Sequence, residues 1–169
     1  MKVRTFGVAA AAGISLALGS AAQGQQAPSL EHVFTITAEL GETLELGPTG
    51  RGNRRIIPIT GGTVEGEGIS GTVRPGAWDW QLDRPDGCTD LIADYFLETD
   101  DGGVINVRNT ATVCRAGEGE PPISIFTRPQ FEPQLGKYEW LGRGVFVGHL
   151  EPVHDGDVSA VRIAIYQVN

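Results

Sequence analysis

Lysine, histidine and cysteine are all scarce in this chain of 169 residues, and each shortage removes a class of function. Lys137 is the only lysine beyond Lys2, so Schiff-base chemistry would have a single donor, in the turn-like stretch Leu135-Gly-Lys-Tyr138. His32, His149 and His154 lack the spacing of zinc ligands, and neither Asp155 with Asp157 nor Glu65 with Glu67 has the ligand count of a calcium loop. No metal and no cofactor is therefore expected. There is no Gly-x-Ser-x-Gly elbow, no phosphate loop and no dinucleotide fingerprint. Positive charge is also short, with 13 basic against 21 acidic residues and a formal net charge of -8. Such a surface repels phosphate backbones and anionic headgroups, which argues against nucleic-acid and membrane partners.

Long apolar runs are missing except at the start. Lys2 and Arg4 precede an uncharged apolar run from Phe6 to Leu18, and Ser20-Ala21-Ala22 supplies the small residues a signal peptidase reads. Residues 1–22 read as a signal peptide cleaved near Ala22, 23–29 as a polar spacer, and 30–169 as one domain. The run is too short to span a bilayer comfortably, and no cysteine follows it to carry a lipid. The expected product is exported, either periplasmic or secreted.

Helical periodicity is absent as well, and no internal repeat is evident. What is present is glycine, 24 in all, punctuating short strand-like runs. The densest stretch, Gly61 to Trp80, holds glycines at 61, 62, 66, 68, 71 and 76. Such density suits strands that bend sharply or let another backbone come close. Strand-like runs fall at residues 30–40, 42–46, 55–60, 69–73, 89–99, 103–113, 123–127, 138–141, 144–150 and 158–168. Gly47 to Gly52 reads as a loop with Arg51, Arg54 and Arg55 as solvated charges at its far end. The fold class is all-β: an antiparallel β-barrel, closed or nearly closed, of about nine to eleven strands.

One hairpin is predicted in register. Asp100-Asp101-Gly102 fits a three-residue loop with Gly102 in the left-handed region. Facing residues then pair as Leu97 with Ile105, Tyr95 with Val107 and Leu91 with Ala111 on one face. On the other face they pair as Asp94 with Arg108 and Cys88 with Cys114. A two-residue turn would set Leu97 against Asn106 and mix apolar with polar on both faces. The three-residue register also brings Cys88 and Cys114 within reach of a cross-strand disulfide, which export favours; two buried free thiols are the alternative.

The ordered motifs Ile59-Thr-Gly-Gly-Thr63, Gly71-Thr-Val-Arg-Pro-Gly76, Asp79-Trp80, Tyr95 with Thr99-Asp-Asp-Gly102, Pro129-Gln-Phe-Glu132 and Tyr138-Glu-Trp-Leu141 followed by Val145-Phe-Val-Gly148 resemble those of a single-barrel family. It is domain-of-unknown-function family 3237, also called uncharacterised protein family 0311. The resemblance covers residues 30 to 168 and implies antiparallel strands around a pocket, with no established reaction. The chain departs from the family pattern at Asp94 and Phe126, where basic residues are expected, and at Gly142, where asparagine is expected. These departures count against an anion-binding role.

Within the barrel, Tyr95 shares the inward side of the hairpin, either satisfied in the core or addressing a ligand. Asp79 lies between Trp78 and Trp80, so either Asp79 points inward with the tryptophans outside, or the reverse. The reading favours Asp79 inward, where burial raises a carboxyl pKa and suits it to acid or base work. Glu132 is the candidate second carboxylate. The candidate ligand-binding group is Tyr95, Trp80, Tyr138, Trp140 and Phe131. The leading function is binding of a small hydrophobic or aromatic molecule in the central cavity. The alternatives are a cofactor-independent isomerase, lyase, cyclase or hydrolase using Asp79 and Glu132, and a filled barrel that forms homo-oligomers through its tryptophan face.

Overall fold

A computed structural model describes residues 26–114, 117, 123–155 and 158–169; the predicted signal peptide and most of the acidic loop at 115–122 lie outside the described residues. The described residues form ten strands and one short 3-10 turn. In chain order they are β1 Leu30–Leu40, β2 Leu44–Thr49, β3 Gly52–Gly66, β4 Ile69–Val73 and β5 Ala77–Asp83. There follow β6 Cys88–Thr99, β7 Val104–Cys114, β8 Ile125–Pro133, the turn η1 Glu139–Gly142, β9 Phe146–Asp155 and β10 Val158–Val168.

The pairing order β1-β10-β9-β8-β7-β6-β4-β3 returns to β1 through a β1–β3 ladder, so eight antiparallel strands close a barrel. Two strands lie off that circuit. β5 bridges β3 and β6, and β2 pairs only with β3. The closing seam depends on Gly62, which pairs with Ala38 at a φ of 132°. Any Cβ there would collide with the carbonyl oxygen of Thr37, so the two backbones approach this closely only because position 62 has no side chain.

The β6–β7 hairpin has the register expected from its turn. Tyr95 faces Val107, Leu97 faces Ile105, and the Thr99 amide bonds the Gly103 carbonyl at 2.9 Å around Gly102, whose φ is 84°. At the hairpin's open end Cys88 and Cys114 are joined by a disulfide, with Cα atoms 4.0 Å apart.

Several segments differ from the sequence reading: β5 at Ala77–Asp83 is not among the expected strand runs, and β3 extends well beyond 55–60 on both sides, from Gly52 to Gly66. Where a strand is expected at 138–141, the chain forms the η1 turn at Glu139–Gly142, and Tyr138, just before it, packs against the core. β2 begins two residues late and runs through the expected loop to Thr49, since a tight turn at residues 50–51 is enough to reverse the chain. β8 starts at Ile125, two residues into the expected 123–127 run, and continues without a break to Pro133, and β9 starts at Phe146 and extends to Asp155.

Inside, side-chain size divides the barrel. Phe34, Ile36, Val64, Leu97, Ile105, Val107, Phe131, Leu141 and Ile165 fill one half, with Phe131 edge-on to both Phe34 and Phe146. Tyr138 closes that end. Its hydroxyl donates to Asp101 at 2.9 Å, and Lys137 and Thr99 donate to the same carboxylate. Farther along the same strands, inward positions become smaller or polar: Ala38 on β1, Ala93 on β6, Asn109 and Ala111 on β7, Thr127 on β8 and Gly148 on β9.

Candidate functional site

That change in side chains leaves a cavity of about 90 Å³ in the second half of the barrel. Its walls are mostly aliphatic, with Leu40, Leu91, Leu150 and Val161 among them. Set into these walls are Asp79, Gln81, Tyr95, Asn109 and Thr127.

Two elements present the acidic side. β5 turns its odd-numbered residues inward, which points Asp79 and Gln81 into the barrel and leaves Trp78 and Trp80 outside, 39% and 42% exposed. β3 places Arg55 directly across from Gln81. Arg55 Nε donates to Gln81 Oε1 at 2.8 Å, Arg55 Nη1 donates to Asp83 Oδ2 at 2.6 Å, and Gln81 Nε2 donates to Asp79 Oδ2 at 2.7 Å. Thr89 donates to the other oxygen of Asp83 at 2.6 Å. A hydrogen-bonded line therefore runs from Asp83 inward to Asp79.

The line stops at Oδ2. Asp79 Oδ1, Tyr95 Oη, Asn109 Oδ1 and Thr127 Oγ1 are buried without a hydrogen-bond partner among the described residues, and all four residues line the one cavity. Buried polar atoms nearly always find partners, and each orphan costs about 1–3 kcal/mol. Four orphans on residues lining one cavity mark a place where the fold gives up stability for something else.

Electrostatics distinguishes these groups. Burial raises the Asp79 carboxyl above its ordinary value, against the lowering effects of the Gln81 hydrogen bond, the Arg55 charge and the Ile92 backbone amide. Burial also raises the Tyr95 phenol, and the charge of Asp79 adds to it. When protonated, Asp79 is able to donate from Oδ1 as well as accept.

The candidate residues from the sequence separate into two groups. Tyr95 and Asp79 reach the cavity; the other five do not. Glu132 lies on the outer wall, because β8 is one continuous strand that turns Thr127, Pro129 and Phe131 inward and therefore Glu132 outward. It does not meet Asp79, and the expected carboxylate pair is absent from this arrangement. Trp80 faces outward for the same parity reason. Phe131 and Tyr138 belong to the packed half, and Trp140 lies on the η1 turn, 37% exposed, with its ring 5.9 Å from that of Phe146. The interior is thus not filled throughout, as a purely structural barrel would be.

Gln81, Asn109, Thr127 and Arg55 were not anticipated. The first three share the inward parity of Asp79, Val107 and Phe131, so alternation alone would have found them. Arg55 reads in the sequence as a solvated charge at the end of the loop that precedes the 55–60 run, whereas β3 begins at Gly52, which puts Arg55 inside the strand with its guanidinium partly buried.

Comparison with known proteins agrees with the architecture. The protein family described as "Protein of unknown function (DUF3237)" matches residues 28–168. A UPF0311 protein of Rhodopseudomonas palustris is 46% identical over 134 residues, covering 72% of this chain and 88% of its own length. The crystal structure of a β-barrel-like protein from Acinetobacter baumannii superposes with a TM-score of 0.77 at 29% identity, covering 87% of this chain and 99% of its own. A crystal structure described as an enzyme from Penicillium herquei has a TM-score of 0.65 at 22% identity over 86% of this chain and 97% of its own, a likeness of fold.

Proposed function

Because this chain belongs to the DUF3237 family, whose description names no activity, we propose its function from the site itself: the barrel binds a small, largely apolar molecule in the cavity beside Asp79 and Tyr95. The observation that carries this reading is that the four residues with unpartnered buried oxygens all line one aliphatic cavity. Ligand sites combine apolar walls with a few placed polar groups, and a bound molecule would repay the desolvation those groups suffer. Export fits the same reading, since the Cys88–Cys114 disulfide suits an oxidising compartment.

The test is a thermal-shift screen of small metabolites against the parent chain and a Tyr95→Phe/Asn109→Leu variant. Compounds that raise the parent's Tm and leave the variant's unchanged support binding in the cavity. Hits that shift both equally place the binding elsewhere and overturn the proposal.

A second reading follows from the raised pKa of Asp79. A carboxyl beside a cavity with its pKa raised by burial suits general acid or base catalysis, with Asp79 alone moving the proton. A ligand recovered chemically unchanged after prolonged incubation favours the binding function. A turnover abolished in Asp79→Asn favours the catalytic one.

A further inference from the structure

The same cavity narrows the chemistry of its occupant. Resting on the binding reading above, we infer that the site takes an uncharged molecule with hydroxyl groups, and discriminates against anions, ammonium ions and carbonyl compounds of the same size.

The charge inventory comes first. Among the described residues, Asp79 is the only acidic one lining the cavity, and no lysine, arginine or histidine lines it. The nearest cation in the hydrogen-bonded line, Arg55, is engaged with Gln81 and Asp83 and stands behind the Gln81 amide. A carboxylate or phosphate would enter beside Asp79 with no counter-charge, at heavy cost in an aliphatic surrounding. An ammonium ion would find one carboxyl group, in a place where burial favours that group's neutral form, and aliphatic walls in place of water.

The hydrogen-bond inventory then selects among neutral molecules. Gln81 is held from outside: Arg55 donates to its oxygen, so its amide nitrogen must be the atom that meets Asp79. Asp79 Oδ2 is therefore always an acceptor. Any proton on this carboxyl sits on Oδ1, the oxygen without a partner. Asp79 Oδ1 thus donates when protonated, Asn109 Oδ1 only accepts, and the Tyr95 and Thr127 hydroxyls do both. A group that serves this mixed set must itself both donate and accept. A hydroxyl does so; a carbonyl only accepts, and an ammonium only donates. The cavity, about 90 Å³, is small, which suits a compact diol or the hydroxylated end of a longer molecule.

Four probes of similar size separate the cases: butane-2,3-diol as the neutral hydroxyl compound, lactate as the anion, 1-aminopropan-2-ol as the cation and 2-butanone as the acceptor-only ketone. Each is titrated into isotopically labelled protein near neutral pH, following the side-chain resonances of Tyr95, Asn109 and Thr127. The expected result is saturable shifts at these residues with the diol, and affinity at least about tenfold lower for the other three, as for a site whose polar atoms are left unpaired by the wrong group. Thr127→Val, which keeps shape and removes one hydroxyl, should weaken the diol several-fold without moving the folded spectrum elsewhere. Lactate, the amine or the ketone binding as tightly as the diol at the same residues overturns the ligand class while leaving the binding reading in place. No shift at these residues with any probe overturns both.

Discussion

The two halves of this barrel are built on the same strands and differ in what those strands point inward. On β1 the inward residues pass from Phe34 and Ile36 to Ala38, on β7 from Ile105 and Val107 to Asn109 and Ala111, and on β8 from Phe131 to Thr127. One half has packed rings and no orphaned side-chain oxygen among its described residues. The other half has a cavity and four such oxygens. The difference separates two tasks that use one backbone: the aromatic half supplies stability, and the aliphatic half uses some of it to keep polar groups unpaired.

If that division is right, substitutions at equivalent depth in the two halves should behave differently. The largest effect should come from Phe34→Ala in the packed half, a loss of about 3–5 kcal/mol in urea denaturation, because neighbouring rings cannot collapse into the space. A loss below about 1 kcal/mol would mean the aromatic half is looser than described here. Next is the staple at the cavity end. Replacing Cys88 and Cys114 together by serine releases a link spanning 26 positions and should cost about 3 kcal/mol, read as a lowered denaturation midpoint.

Gly148→Ala should cost about 1–3 kcal/mol, since its Cβ would collide with Thr127 Oγ1 and crowd Ile163 Cγ2. A Gly148→Ala/Thr127→Ala double variant should recover part of that loss, which shows that the clash lies with the cavity residue. By contrast, Thr127→Val should leave stability within about 1 kcal/mol of the parent or raise it, since it removes a buried hydroxyl that has no partner.

The finest distinction is in pH. Asp79, at the cavity end, has a folded-state pKa raised by burial, so its contribution favours folding below the ordinary aspartate value of 3.8 and is lost as pH rises through the folded value. Asp79→Asn should therefore gain stability relative to the parent on going from acid to neutral pH. Asp101, at the packed end, is shifted the other way by Lys137, Thr99 and Tyr138. Its contribution is present above 3.8 and lost as pH falls, so Asp101→Asn should be the weaker protein at neutral pH and converge with the parent in acid. Denaturation midpoints of the two variants that move in the same direction with pH would contradict the contrast between the ends.

How much of this was legible in the letters depends on which period carried it. Alternation in the β6–β7 hairpin, checked against a three-residue turn, placed Tyr95 inward and brought the two cysteines together, because a register error would have mixed the faces. The same alternation placed Asp79 inward. It was not carried through to Gln81, two residues on, or applied to β8, where an inward Phe131 already required Glu132 to face out. Glu132 is next to the inward Phe131 in sequence, but proximity in sequence is a poor guide on a strand, where adjacent residues face opposite sides. The division into two halves was beyond local reading. It arises from small residues scattered over β1, β6, β7 and β9, which become one space only when the sheet rolls up.

The order of strands around the wall also gives β10 a double duty. β10 lies between β1 and β9, while the strands from β3 to β9 pair with one another in sequence-near steps without it. Take β10 out of the wall and β1 and β9 each present an open row of amides and carbonyls, the kind of edge that recruits other chains. One strand thus covers two edges at once, and loosening it would expose both.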